Sequence, residues 1–171
     1  EDAEPEVAVG WLHDHARGNL ELGLRDYQRD PETAERRLRT AIAANPADGR
    51  SYALLGNILD ARGQLEQSDR AMRTAALLAP QRGDVRLQAA SYWARRGDLA
   101  RAMPHLDTVL RHRPETYRLL FPEVLKIMQA PANHPVMETL LRKPVPWWPA
   151  FFVHAARNSE SLDTVRRLYK L

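Results

Sequence analysis

A proline recurs at a fixed interval through the middle of this chain and closes three similar segments. The segments are AERRLRTAIAANP, SDRAMRTAALLAP and ARAMPHLDTVLRHRP, and they end at Pro46, Pro80 and Pro114. Successive prolines lie 34 residues apart, and Gly63 and Gly97 recur at the same interval. A period of this length is typical of repeat proteins, in which each copy is one supersecondary unit. The chain is therefore expected to fold as a series of stacked, similar units.

Each copy has the pattern of two helices separated by a turn. In SYALLGNILDAR, the apolar residues Tyr52, Leu55 and Leu59 fall on one side of a helix. Gly63 then supplies a signal for the end of that helix, and Met72 lies on the apolar stripe of the next one. Ala, Leu and Arg are abundant, and all three favour helix. The residues predict an all-α chain of antiparallel hairpins, which must stack because one hairpin cannot bury its apolar face alone.

Other residues mark where individual helices begin and where they pack. Asp30 precedes Pro31 and is expected to cap a helix N-terminus, with the proline in the first turn. Asp98, in RGDLARAM, is expected to cap another helix in the same way. Gly56 lies one turn after Tyr52, where the absence of a side chain lets a neighbouring helix come close.

The segment YALLGNILDARGQLEQSDRAMRTAALLAP resembles a tetratricopeptide repeat. The positions that carry the resemblance are Tyr52, Leu55, Gly56, Gly63, Ser68, Met72, Ala75 and Pro80. The next copy keeps Gly97 and Pro114 but has Ala89-Ala90 in place of the Leu-Gly pair. An earlier copy carries Leu22-Gly23 and has a shorter turn.

The resemblance implies a right-handed α-solenoid of antiparallel helix hairpins, with the first helix of each hairpin on the concave face. We expect a single solenoid over residues 1–171. Its predicted parts are repeats at about 16–48, 49–82 and 83–116, a degenerate repeat at 117–143 and a C-terminal helix pair at 144–171.

The resemblance also implies a ligand-binding face on the first helices. The residues expected there are Arg50, Asn57, Asp60, Gln88, Ser91, Arg95 and Arg118. Asn57 matches the asparagine with which peptide-binding relatives hold a peptide backbone, whereas Ala53 and Leu54 do not supply the lysines of a chaperone-tail clamp. Arginine forks and amides on one wall would suit an extended peptide of acidic character. The alternative is that these residues are ordinary solvated side chains.

Nothing in the sequence indicates reaction chemistry. The chain has no cysteine, which excludes disulfides, thiolate zinc sites and cysteine nucleophiles. His13 and His15 would point apart on a helix, and His105 and His112 lie two turns apart, too far to share a metal ion. No phosphate-cradling Gly-rich loop, nucleophile elbow or H-E-x-x-H motif occurs. We expect a protein without enzymatic activity, cofactor or metal ion.

The charge of the chain is mild, with 25 basic and 22 acidic residues and a net charge of +3. An arginine-rich helical repeat could bind RNA or DNA, and such binding would weaken steeply with salt. The acidic residues are interspersed with the basic ones, as in PETAERRLRT, which favours solvated helix faces. Nucleic acid is therefore not an expected partner, and no apolar run is long enough to predict membrane insertion of this segment.

Near the C-terminus, PVPWWPAFF concentrates prolines and aromatic residues. Pro149 suits the first turn of a helix. An apolar stripe then runs through Trp148, Phe151, Phe152 and Ala155. Trp147 lies off that stripe, so it is predicted to be the exposed aromatic residue and a possible surface for stacking on a sugar. Packing at the end of the repeat array is favoured over a ligand platform.

Two functional hypotheses remain open at this point. The favoured one is a non-enzymatic scaffold that binds a partner protein or extended peptide on its concave face. The alternative is an envelope scaffold module of a bacterial polysaccharide synthesis, export or secretion assembly, with Trp147 contacting sugars. The chain starts at Glu1 rather than Met, which indicates a piece of a longer protein. Bacterial cytoplasm and periplasm are therefore both open as locations.

Overall fold

The described part of the chain is helical in a computed structural model. The structure describes residues 4–141, 145–158 and residue 166. No strand occurs within these ranges, which confirms the all-α prediction. The helices are α1 (Pro5–Trp11), α2 (Ala16–Asp26), α3 (Pro31–Ala44), α4 (Gly49–Ala61), α5 (Leu65–Leu78), α6 (Gly83–Arg95), α7 (Leu99–His112), α8 (Tyr117–Gln129), α9 (His134–Leu141) and α10 (Trp148–Asn158), with short 3-10 helices at Pro114–Thr116 and Pro131–Asn133.

The 34-residue recurrence of the sequence reappears in the helix boundaries. The first helices α4, α6 and α8 each have 13 residues and begin at Gly49, Gly83 and Tyr117. The second helices α3, α5 and α7 each have 14 residues and begin at Pro31, Leu65 and Leu99. Equivalent residues of these helices can therefore be compared position by position.

The predicted helix ends are confirmed at residue level. The carboxylates of Asp30 and Asp98 each accept a hydrogen bond, at 3.0 Å, from the backbone N–H three residues later. Pro31 occupies the first turn of α3, where no intrahelical donor is needed. Gly63 and Gly97 both have φ of 72°, a left-handed conformation that lets the chain leave one helix and enter the next.

The chain divides into two compact units, Glu1–Tyr92 and Trp93–Leu171, and the boundary falls inside α6. In the first unit α1 packs on α2, α2 on α3, α3 on α4 and α4 on α5. In the second unit α7 packs on α9 and α8 on α10. The second helix predicted within 144–171 falls on residues 159–171, which lie outside the described residues except for Arg166.

The α4–α5 hairpin is closed at a glycine. A Cβ added to Gly56 would lie 3.3 Å from Met72 Cε and 3.5 Å from the Ser68 carbonyl oxygen, so the two helices meet closely, as predicted. The buried Ser68 hydroxyl donates to the Gly56 carbonyl at 2.8 Å and ties the two helices together. Leu38 and Met72 occupy equivalent positions on α3 and α5, and both are fully buried. Their burial contributes about 1.5–3 kcal/mol each to stability.

Candidate functional site

The first helices of the first unit are linked by a pair of side-chain amides. Asn57, on α4, donates through Nδ2 to Oε1 of Gln88, on α6, at 2.9 Å. Both side chains are half-buried, so the amide pair is partly shielded from water but still reachable. The structure thus brings together two residues that the sequence predicted for one binding face.

Arg50, at the start of α4, is held by carboxylates. Its guanidinium donates to Asp48 through Nη2 at 2.7 Å and through Nε at 3.0 and 3.2 Å, and Glu21 of α2 lies 3.9 Å away. These hydrogen bonds raise the pKa of Arg50. Burial pushes the pKa of Asp48 upward, but the hydrogen bonds from Arg50 outweigh it and leave that pKa below its ordinary value. Arg50 is therefore not an unpaired cation waiting for an acidic ligand.

A second pair stands at the start of α6. Arg82 donates to the two carboxylate oxygens of Asp84 at 3.1 and 2.8 Å, and Asp84 also accepts from the backbone N–H of Val85 at 3.0 Å. The hydrogen bonds from Arg82 lower the pKa of Asp84, and burial opposes them. With the acids that hold Arg50, these pairs leave the helix starts close to electrically neutral.

The other predicted site residues are distributed differently. Asp60 is half-buried near the end of α4, and Ser91 is exposed one turn beyond Gln88 on α6. Arg95 and Arg118 are exposed but belong to the second unit, at the end of α6 and the start of α8. Within the first unit, Asn57 and Gln88 are the two predicted site residues that the amide hydrogen bond joins.

Sequence reasoning missed the pairing of arginines with the acids of this region, namely Glu21, Asp48 and Asp84. The signal was present, because Asp48 and Arg50, and likewise Arg82 and Asp84, are separated by one residue at a helix start. Such spacing lets a capping carboxylate also hold an arginine side chain. The interpretation of Arg50 as a free fork overlooked this local partner.

The prediction that Trp147 is exposed is wrong. Its ring is fully buried, and its indole Nε1 donates to Asp107 Oδ1 of α7 at 2.8 Å. The buried stripe starts at Trp147, just before α10, and continues through Phe151 and Ala155 of that helix, whereas Trp148 is half-buried. The error lies in the register, because a stripe of spacing four can start at either tryptophan and the flanking sequence does not distinguish them.

Phe121, Trp147 and Phe151 of the second unit form one packed cluster of aromatic rings. Phe121 of α8 meets Phe151 edge to face with ring centroids 5.2 Å apart, and it lies 6.4 Å from Trp147. Trp147 and Phe151 are also edge to face, at 5.9 Å. Such pairs contribute about 0.5–1.5 kcal/mol each beyond burial. The PVPWWPAFF segment is therefore a packing element over its described residues, as the sequence favoured.

The described ranges show neither a metal site nor a membrane span. Among these residues, no group of three or more His, Asp or Glu side chains is placed to hold a metal ion. No described helix combines the length and apolar character needed to cross a bilayer.

In comparisons with protein-family models, curated proteins and solved structures, no match to this chain was found. The tetratricopeptide resemblance therefore depends on the residues of the chain itself.

Proposed function

We propose that this chain is a non-enzymatic, tetratricopeptide-like scaffold that binds an extended segment of a partner protein. In this proposal the hairpins form a right-handed solenoid, and the first helices present the binding face. In the first unit, the proposed binding face lies on α4 and α6. The all-helical fold of the described residues and the recurrence of helix starts support the architecture.

The observation that carries the proposal is the amide pair of Asn57 and Gln88. Their mutual hydrogen bond uses one amino hydrogen and one oxygen. The pair therefore still offers the Asn57 Oδ1 acceptor and the Gln88 Nε2 donor. A peptide group presents the complementary donor and acceptor on its main chain. Two linked amides are thus suited to hold a backbone whatever its side chains are.

The electrostatics favour a partner that is not strongly acidic. Arg50 is already paired with Asp48 and Glu21, and Arg82 with Asp84. An acidic peptide would have to displace these carboxylates, which offsets what it would gain. We therefore revise the acidic character expected from sequence to a near-neutral segment, whose binding should depend only weakly on salt.

The test uses a peptide selected from a displayed random library against the full chain, with affinity measured by fluorescence polarisation. Asn57→Ala combined with Gln88→Ala should weaken binding about tenfold or more, because the backbone loses both amide partners. Arg70→Ala on α5, an exposed residue of a second helix, is the matched control and should bind like the native chain. Native affinity in a folded double variant would reject this binding face.

The alternative of a sugar-contacting envelope module loses its motivating residue, because Trp147 is buried and its indole N–H is already bonded to Asp107. No other described aromatic residue was predicted for that role. The scaffold hypothesis is therefore favoured.

A further inference from the structure

A cleft of about 650 Å³ lies between α7 and α9 in the second unit. Its lining is mainly apolar and consists of Ala100, Met103, Pro104, Asp107, Arg111, Pro135, Val136 and Thr139. The volume falls in the range of about 300–1,000 Å³ that is usual for small-molecule sites. None of these residues belongs to the amide pair proposed above to hold a peptide.

The α7 wall differs from the equivalent wall of its sister helices. We call positions 2, 5, 6, 9 and 13 of each 14-residue second helix the lateral row. In α3 this row is Glu32, Glu35, Arg36, Arg39 and Ala43, and in α5 it is Glu66, Asp69, Arg70, Arg73 and Leu77. In α7 it is Ala100, Met103, Pro104, Asp107 and Arg111.

The charged lateral rows are typical water-facing surfaces. In α3, Arg39 pairs with Glu35 at 2.7 Å, and in α5, Arg70 approaches Glu66 at 3.7 Å. Such pairs one turn apart are common on exposed helix faces. The α7 row lacks the three charges that its sister helices share in type at positions 2, 5 and 6, and it faces the cleft instead. The apolar character is therefore a property of this helix and of its cleft, not of the repeat.

Asp107 and Arg111 give the cleft a fixed polar edge. Asp107 Oδ1 accepts from the Trp147 indole at 2.8 Å, and Oδ2 accepts from Arg111 Nε at 2.7 Å. Both carboxylate oxygens are thus occupied, and the arginine is oriented by its Nε bond. Neither Nη atom of Arg111 forms an ion pair with another described residue. Two N–H-bearing nitrogens of a permanently charged group therefore remain at the edge of an apolar cleft.

We infer that the α7–α9 cleft binds a small amphipathic molecule with an apolar body and one carboxylate. The apolar body would lie against Met103, Pro104 and Val136, and the carboxylate would accept from the Nη atoms of Arg111. A guanidinium and a carboxylate match in geometry as well as in charge, so the head group fixes the orientation of the ligand. The size of the cleft and its single cationic donor favour this occupant over a protein segment, which would extend beyond it.

The four methionines of the chain provide reporters for a direct test by methyl NMR on the full chain. Met103 lines the cleft, whereas Met72 lies in the first unit and serves as an internal control. Octanoate is the probe, and 1-octanol, which has the same chain without a charge, is the matched ligand control. Titration with octanoate should shift the Met103 methyl signal saturably and leave Met72 unchanged. Octanol should bind about tenfold more weakly.

Two exposed substitutions copy residues that the sister helices already carry. Ala100→Glu introduces the acid found at Glu32 and Glu66, and it should weaken octanoate binding about tenfold or more by repelling the carboxylate. Arg111→Leu copies Leu77 and should bring octanoate affinity down to that of octanol. Glu66→Ala on α5 is the control and should change neither.

Three outcomes would overturn the inference. The first is equal binding of octanoate and octanol by the native chain. The second is an unshifted Met103 signal at octanoate concentrations of about 10 mM, well above typical ligand affinities for such sites. The third is self-association of the native chain that Ala100→Glu abolishes, because the cleft would then be occupied by a second copy. None of these results bears on the amide pair of Asn57 and Gln88, so the scaffold proposal is tested separately.

Discussion

Helices α5 and α7 have the same length and bury the same positions, but they differ in the residues of the lateral row. The buried rows pair Ser68 with Ala102, Met72 with Leu106 and Ala75 with Val109, and all six residues are buried. On the lateral row, Asp69 of α5 pairs with Arg73, whereas the equivalent Met103 of α7 is 1% exposed. Packing within the hairpin requires small or apolar residues in the buried row. The residue types of the lateral row differ with what lies beside each helix.

The difference shows how one repeat can acquire a new surface without changing its fold. Replacing acids by Ala100 and Met103 leaves the buried row of α7 intact, because the two rows lie on different sides of the helix. Asp107 then takes the position of Arg73 and provides an acceptor for the Trp147 indole of the C-terminal segment. The lateral row is thus where this chain departs from its own repeat.

The largest effect on stability is expected from substitutions at position 5 of the lateral row. Met103→Glu places a carboxylate at a site that is 1% exposed and should lower the free energy of unfolding by about 3 kcal/mol or more. Asp69→Met loses a surface ion pair and should cost about 1 kcal/mol or less. Urea denaturation followed by circular dichroism measures both, and Met103→Gln provides a milder change if the Glu variant does not fold. Similar losses at both positions would remove the distinction between the helices.

A smaller contrast is expected at position 9. Asp107→Ala leaves the buried Trp147 N–H without its acceptor and should cost about 1–3 kcal/mol, with a change in tryptophan fluorescence. Arg73→Ala, its equivalent in α5, should cost about 0.5 kcal/mol or less because its ion pair lies at the surface. If the Asp107 variant were as stable as the Arg73 variant, the indole bond would not contribute to holding the C-terminal segment.

The buried row allows a third comparison. Ser68→Ala makes α5 resemble α3 and α7, which carry Ala34 and Ala102 at this position. The variant loses the 2.8 Å hydrogen bond to the Gly56 carbonyl and should be about 1 kcal/mol less stable in urea. An unchanged midpoint would mean that packing at Gly56 closes the hairpin without the hydroxyl.

The smallest expected effect is a pH dependence of the free energy of unfolding that arises from Asp84, at the start of α6. The pKa of Asp84 is lowered mainly by the hydrogen bonds from Arg82, so the ionised carboxylate stabilises the folded state. This contribution is complete above the unfolded pKa of about 3.9 and is lost as the pH falls through the lower folded value. Asp84→Asn should therefore lose less stability than the native chain between about pH 5 and pH 2. Identical pH profiles would contradict this assignment.

Local signals were readable from the sequence because they depend on neighbouring residues. The carboxylates of Asp30 and Asp98 each accept from the backbone N–H three residues later in the chain. Gly63 allows the chain to leave its helix through its own left-handed backbone conformation. The 34-residue period predicted the helix pairs because each buried row repeats its small and apolar residues. These features need no knowledge of distant contacts.

The features that the sequence did not predict depend on contacts between residues far apart in the chain. Asn57 and Gln88 are 31 residues apart, and Trp147 and Asp107 are 40 apart, so neither bond has a local signature. For Trp147 the helix register was ambiguous by one residue, and the bond of its indole N–H to Asp107 could not be foreseen from the flanking sequence. The lateral row of α7 could have been recognised by aligning the repeats, since Met103 stands where the other copies have acids.

The absence of cysteine makes thiol labelling the most direct test of the central claim, that position 5 of the lateral row is accessible to water in α5 and covered in α7. Asp69→Cys and Met103→Cys are made singly, and each is labelled with maleimide under native conditions and in urea. The account predicts that, relative to its rate in urea, the thiol at position 69 reacts about tenfold or more faster than the thiol at position 103, which should need local opening to react. Equal relative rates at the two positions would contradict the account.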